Sequence, residues 1–252
     1  MKTNAWSRDQ LIVAFNLYCR IPFGKIHNRN PEIIALAKVL GRTPSALSWK
    51  LANFASLDPS LKARNISGAT HGSKLEKDIW DEFNGDWERL SYESEEMRLK
   101  MENRALLLAS DELFPEGKTR DAIVRTRVNQ GFFRASVLAA YNSTCCITGL
   151  TVIDLLNASH IVPWSKDIKN RTNPRNGLCL NAILDRAFDR GLITITSEFK
   201  VLVSSSIQSV VDPAVHELIS RYNGVKIYTP ERFTPESPFL EYHRLHIFQR
   251  TR

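Results

Sequence analysis

The chain has no run of the roughly 18 to 20 uninterrupted apolar residues that spans a bilayer. Its first residues, MKTNAWSRDQ, lack the basic and then apolar order of a secretory signal. Neither a membrane-spanning nor a secreted protein is expected, and the location that fits is cytoplasmic. Cysteine is equally scarce: Cys19, Cys145, Cys146 and Cys179 include no CxxC pair, and adjacent Cys145 and Cys146 would bridge only with strain. That argues against a disulfide scaffold and for reduced, packing thiols. Acidic residues are also in deficit, 27 against 34 Lys and Arg, leaving a net charge of +7 and a pI near 9.3. A surplus of this sign is what a chain that meets phosphate carries, although many basic proteins bind nothing acidic. Where the charge sits therefore matters more than its sum.

The 252 residues, 43% hydrophobic, suffice for one large domain or two modest ones, each with its own core. The expected class is α+β, with a helical N-terminal module over residues 1–90, a linker at 91–115 and a second domain over 116–252. Ser7 and Gln10 form a capping-box pattern before LIVAFNLYC, so a helix is predicted from about 8 to 20. Asn30 and Pro31 start another that Gly41 closes, and Thr43 and Pro44 start the next. Over residues 32–55, Ala37, Gly41, Leu47 and Leu51 are spaced as in a helix-turn-helix, whose second helix would offer Ser45, Ser48, Lys50 and Asn53 to DNA. Plain packing of two helices accounts for the same spacing. Residues 74–90 continue in helical rhythm, with Ile79, Trp80, Phe83 and Trp87 as the apolar face. The charged stretch that follows reads as a linking helix and a loop ending in a Pro-Glu-Gly turn. Lys118, Arg120, Arg125, Arg127 and Arg134, with Asn129 and Gln130 among them and only Asp121 opposed, then form a strip suited to phosphate or a solvated helix face.

Chemistry concentrates in the core at 141–195. The apolar run ending in Ala158, Ser159 and His160 has strand character and breaks at Pro163 into the polar loop SKDIKNRTNPR. The loop closes at Asn176 and Gly177 before a short strand, Leu178 to Leu180, and Asn181 caps a helix to about Asp189. On that helix Asp185 and Asp189 are four residues apart, so both carboxylates share a face. Oxygen ligands suit Mg²⁺ or Mn²⁺, and a histidine with a pKa near 6.5 takes a proton from water near neutral pH; together they fit phosphodiester hydrolysis. Taken singly, each residue has a quieter reading: a hydrogen-bonded histidine, an Asn-Gly turn, a solvated pair of acids.

Four ordered blocks sharpen the choice. Cys146, Ile147, Thr148 and Gly149 fit C-x-I-T-G; Ser159, His160, Ile161, Pro163 and Trp164 fit A/S-H-I-x-P-W; Asn176 to Leu180 fit N-G-L-x-L; and Phe188 to Ile193 fit F-D-R-G-L-I. In these the chain resembles the HNH (ββα-metal) endonucleases of bacterial restriction-type proteins over about residues 120–250. The resemblance implies a divalent-metal-dependent nuclease in which His160 is the general base, Asn176 holds the loop and Asp185 is a metal ligand where a literal His-Asn-His would have histidine. Asp189 is a second candidate ligand, or a cap for the helix end. Ser159, a poor ligand, stands where many members have Asp or His before the base, and the paired CxxC motifs of zinc-carrying members are missing. The tail around His243 and Arg244 resembles the closing segment of these proteins and is read as fold.

The resulting expectation is a restriction or defence nuclease on double-stranded DNA with catalytic His160, Asn176 and Asp185, metal at Asp185 and Asp189, and DNA contacts from Lys50, Arg125, Arg127, Gln130 and Arg134. A double-strand break would call for a homodimer, since one such site cuts one strand at a time. Two alternatives stay open: a DNA-binding regulator with an inactive HNH scaffold, and an RNA-directed nuclease.

Overall fold

A computed structural model describes residues 5–64, 72–102 and 120–249. Lys118 and the Pro-Glu-Gly turn lie outside the described residues. The chain divides into two compact units, Met1–Phe132 and Phe133–Arg252. No helix among the described residues is long and apolar enough to cross a membrane.

The first unit is helical and built on α1, Arg8–Arg20. Ser7 Oγ accepts from Gln10 N at 3.2 Å while Gln10 Oε1 accepts from Ser7 N at 3.2 Å, so the capping box closes in both directions. Every residue from Leu11 to Cys19 is buried, which makes α1 the centre of the unit. Around it pack α3 (Pro44–Leu57), α5 (Lys74–Phe83) and α6 (Trp87–Met101). Phe15 is the aromatic hub, its ring 4.9 Å from Phe54 and 5.2 Å from Trp80. Between α1 and α3, helix α2 (Pro31–Val39) starts on the Asn30 side chain and ends where Gly41 takes φ +63°, letting Arg42 N reach Ala37 O at 2.9 Å. A short α4, Pro59–Lys62, follows α3.

Two sequence expectations are corrected here. The helical rhythm of residues 74–90 is two helices: Asn84 ends α5, Gly85 takes φ +118°, and Asp86 caps α6 by accepting from Arg89 N. Residues 91–101, read as the start of the linker, belong to α6, whose Leu90, Ser91, Ser94 and Leu99 are buried.

Lys50 and Asn53 are also corrected. Instead of facing DNA from the second helix of the helix-turn-helix, both turn inward to Glu76, which is fully buried. Lys50 Nζ is 2.5 Å from Glu76 Oε1, and Asn53 Nδ2 donates to both carboxylate oxygens at 3.0 Å. Ser73 N adds a fourth contact at 2.7 Å. A carboxylate without water needs such partners, and this one recruits the polar residues of α3 that the sequence pattern offered to DNA. Lys50→Met is expected to lower the stability of the unit by on the order of 3 kcal/mol, because it strands the Glu76 charge. Urea unfolding followed by circular dichroism checks it; an unchanged midpoint would remove the ion pair from the list of structural anchors.

The second unit carries the C-terminal turns of α7 (Arg120–Ala140), then β1 (Leu156–His160), β2 (Gly177–Asn181) and α8 (Ala182–Asp189). A second antiparallel pair follows, β3 (Ile193–Ile195) with β4 (Val201–Val203). Short helices α9 (Ser205–Gln208) and α10 (Pro213–Leu218) lead to α11 (Ser237–His246). The chain is thus α+β, with a helical region ahead of the strand-containing part.

α11 fastens the end of α8. His243 is buried and stacks on Phe188 with ring centroids 3.7 Å apart; its Nε2 donates to Phe188 O at 3.1 Å and its Nδ1 accepts from Thr194 Oγ1 at 2.8 Å. Arg244 donates to Ile195 O at 3.3 Å. Burial pulls the His243 imidazole down to about 4, from an ordinary value of 6.5. The folded state therefore holds it neutral, and this stability is complete above about pH 6.5. Between pH 6.5 and 4 the unfolded chain binds a proton that the folded chain refuses, so stability falls with pH at up to about 1.4 kcal/mol per unit. Unfolding midpoints measured from pH 7 to 4 should show this slope, and His243→Gln should flatten it by one proton.

Candidate active site in the ββα unit

β1 and β2 pair antiparallel, from Leu156 opposite Asn181 to His160 opposite Gly177, and α8 packs back on both strands. Asn181 turns strand into helix: its Oδ1 accepts from Ile183 N at 3.1 Å and Leu184 N at 2.9 Å. His160 and Asp185 are thereby fixed to neighbouring rigid elements, one at the strand end and one in the first turn of the helix.

His160 is part-buried and held on three sides. Phe133 of α7 stacks on its ring with centroids 3.7 Å apart and planes 10° from parallel, and Trp164 meets it edge-on at 5.5 Å. Its Nε2 lies 2.8 Å from Arg171 O. A carbonyl only accepts, so Nε2 bears the proton and Nδ1 keeps its lone pair. Burial pulls the His160 pKa below 6.5, opposed by the Arg171 carbonyl and by Asp185. The imidazole is neutral at pH 7.

Asn176 is fully buried. Its Oδ1 accepts from Val162 N at 2.8 Å, and its Nδ2 donates to Val162 O at 3.1 Å and Asn170 O at 3.4 Å. Its own carbonyl accepts from Ile161 N at 3.0 Å. One side chain thus fastens both ends of the loop whose Arg171 carbonyl holds the histidine.

Asp185 is half-buried, and Asn157 Nδ2 donates to its Oδ2 at 2.7 Å, which leaves Oδ1 for a ligand. Asp189 is exposed and makes no hydrogen bond among the described residues, so the capping role weighed for it is not the one seen; the helix end is held by His243 and by Gln249, whose N donates to Gly191 O. Partial burial and the neighbouring Asp185 push the Asp189 carboxyl up. Among the described residues no three His, Cys, Asp or Glu side chains converge as a metal cage. The oxygen donors on α8 still suit a hard cation of the Mg²⁺ type, which is held through one or two carboxylates and keeps waters or substrate phosphate in its other positions. The thiols take no part: all four cysteines are free and buried.

The expected phosphate strip divides. Arg127, Gln130 and Arg134 are exposed at spacings of three and four, the spacing of one helix face. Arg134 spends one nitrogen on Leu156 O, at 2.9 Å, anchoring α7 to β1. Arg125 lies over the Tyr92 ring, 4.2 Å from its centroid. Lys50 is in the first unit on Glu76, as described.

Sequence reasoning missed Phe133 and Asn157. Neither carries a motif; Phe133 sits among apolar residues of α7, and Asn157 shows only as a polar residue inside a strand. Gly177 had the clearer signal, since it closes a turn, but its reason is packing. A Cβ there would press into Val137 Cγ2 and stand 3.0 Å from Phe133 Cζ.

The ββα unit thus sets the His160 imidazole at the end of one strand and the carboxylate of Asp185 on the helix packed against it. Residues 145–196 match the family model described as HNH endonuclease. In this segment the chain is similar to HNH endonucleases, a likeness that suggests a nuclease. No curated protein matches the sequence.

Gly177→Ala is expected to cost about 1 to 3 kcal/mol of stability, since the new methyl must displace Val137 and Phe133. Thermal unfolding measures it, and an unchanged melting temperature would show that α7 yields freely.

Proposed function

We propose that this protein is a metal-dependent endonuclease that hydrolyses DNA phosphodiester bonds, serving bacterial restriction or defence. The observation that carries the reading is the His160 ring, proton fixed on Nε2 by the Arg171 carbonyl and lone pair left on Nδ1, set beside Asp185. The net charge of +7 supports a polyanionic substrate, and the four motif blocks support the restriction-type setting.

In this reading Nδ1 of His160 takes a proton from the attacking water. The imidazolium that forms is stabilised by the Arg171 carbonyl, which strengthens its hydrogen bond as the ring becomes charged. Phe133 and Asn176 hold the ring and the loop in the attacking geometry, so little reorganisation is needed at the moment of reaction. Asp185, oriented by Asn157 and with Asp189 one turn on, would hold Mg²⁺ or Mn²⁺. When bound, such an ion supplies positive charge for the phosphate and the departing 3′ oxygen. Arg127, Gln130 and Arg134 would contact the phosphate backbone.

Supercoiled plasmid, base-modified and unmodified, tests this with wild type, His160→Ala and Asp185→Ala in Mg²⁺, Mn²⁺ and EDTA. Wild type should nick or linearise DNA with either metal and not with EDTA, and His160→Ala should lower the rate on the order of 10²-fold or more. Nicked circles are the product of one site acting alone; linear DNA would point to a homodimer. DNA that is bound but never cut would favour the regulator, preferential cutting of single-stranded RNA the RNA-directed enzyme, and cutting that survives His160→Ala would move the active site elsewhere.

A further inference from the structure

The first unit contains a cavity of about 370 Å³ that nothing in the nuclease reading uses. It lies within the size range of small-molecule sites. Three helical stripes line it: Val13, Asn16, Leu17 and Arg20 on α1, one face of α2 between residues 32 and 39, and one face of α6 from residue 94 on with Glu102 just past its end. Residues 13, 16, 17 and 20 are spaced as one face of a helix, so α1 gives the cavity an apolar wall with two polar groups one turn apart.

Those two groups are unpaired. Arg20 Nε is buried without a hydrogen-bond partner, and among the described residues the guanidinium makes no ion pair. Burial pulls Arg20 below its ordinary value, against the nearby charges of Glu32 and Glu95. Asn16 is only 8% exposed, and its carboxamide likewise has no partner among the described residues. The other arginine of the cavity is spent: Arg98 donates to Glu95 at 2.6 and 2.9 Å and to Glu102 at 2.6 Å. Arg20 as a whole is half-buried, but its Nε is a buried donor without a partner, which is costly unless something accepts from it.

We infer that this cavity is a binding site for a small monocarboxylate with an aliphatic body, its carboxylate received by Arg20 and Asn16 and its chain lying along Val13, Leu17, Leu36 and Val39. A carboxylate accepts the planar fork of an arginine in two parallel hydrogen bonds and retains lone pairs for an amide. Glu32, Glu95 and Glu102 outnumber Arg20 and Arg98 in the lining, so a phosphate dianion is rejected more strongly than a monoanion, which is held by hydrogen bonds from Arg20 and Asn16 and not by net charge. The aliphatic side chains select an apolar body over a sugar or nucleobase. The inference does not rest on the nuclease reading, and its readout is separate from cleavage.

Titration calorimetry on the full chain tests it, with octanoate, 1-octanol and inorganic phosphate as probes. Octanoate should bind saturably at one site, with octanol and phosphate weaker by roughly ten-fold or more. Arg20→Met should weaken octanoate by roughly ten-fold or more, and Arg20→Lys should recover part of that loss. Ala35→Phe, at an exposed position of the lining, should block entry without touching the core; circular dichroism establishes that each variant is folded. No saturable octanoate binding, equal binding by folded Arg20→Met, or a preference for phosphate would each overturn the proposal.

Discussion

The carboxamide of Asn176 is the constraint on which the site depends. The loop between β1 and β2 is long and polar, with no regular structure of its own beyond a 3₁₀ turn at Pro174–Asn176. Ordering such a segment costs conformational entropy that its few buried side chains cannot repay. Asn176 offsets this by pairing donor and acceptor with both polar groups of Val162 while also reaching Asn170. Aspartate could not do it, since a carboxylate has no proton for the Val162 carbonyl. The Arg171 carbonyl lies inside the loop so fastened, and its position decides which imidazole nitrogen is basic.

A second support comes from below the ring. Phe133 stacks on His160 only because α7 approaches the hairpin closely, and Gly177 permits that approach. Arg134, the next residue on α7, ties the helix to the start of β1. The histidine is therefore clamped between a helix that precedes it and a loop that follows it in sequence. An imidazole held this way keeps one orientation, at the expense of a charged form disfavoured by burial.

The local signals in the sequence were legible wherever one residue type has one physical job. Ser7 with Gln10, Asn30 with Pro31, Thr43 with Pro44 and Asn181 each start a helix where read, because a cap needs only the backbone amides beside it. The strand ending at His160 and the helix carrying Asp185 and Asp189 were legible for the same reason. What stayed hidden depends on partners distant in the chain. Lys50 and Asn53 have the spacing of DNA-reading side chains, yet Glu76, 23 positions beyond Asn53, claims both. The break at Asn84 and Gly85 was masked by apolar spacing that continues across it, since Ile79, Trp80, Phe83 and Trp87 are all buried in two helices as they would be in one.

Asp185 stands where a literal His-Asn-His would place histidine, and the surroundings bear on what it can hold. An imidazole there would present one nitrogen and no charge. Aspartate presents an oxygen and a negative charge, with Asn157 fixing the orientation of the other oxygen from β1. Asp189, one turn further on the helix, feels that charge, its own carboxyl being pushed up by burial and by Asp185. Two acids that repel each other across one helix turn gain most from a cation that is small, hard and content with few protein ligands. The buried Ser159 hydroxyl, which makes no hydrogen bond among the described residues, lies beside His160 in the strand and adds no charge to this balance. The negative charge is thus concentrated on α8, and the strand contributes the imidazole of His160 alone.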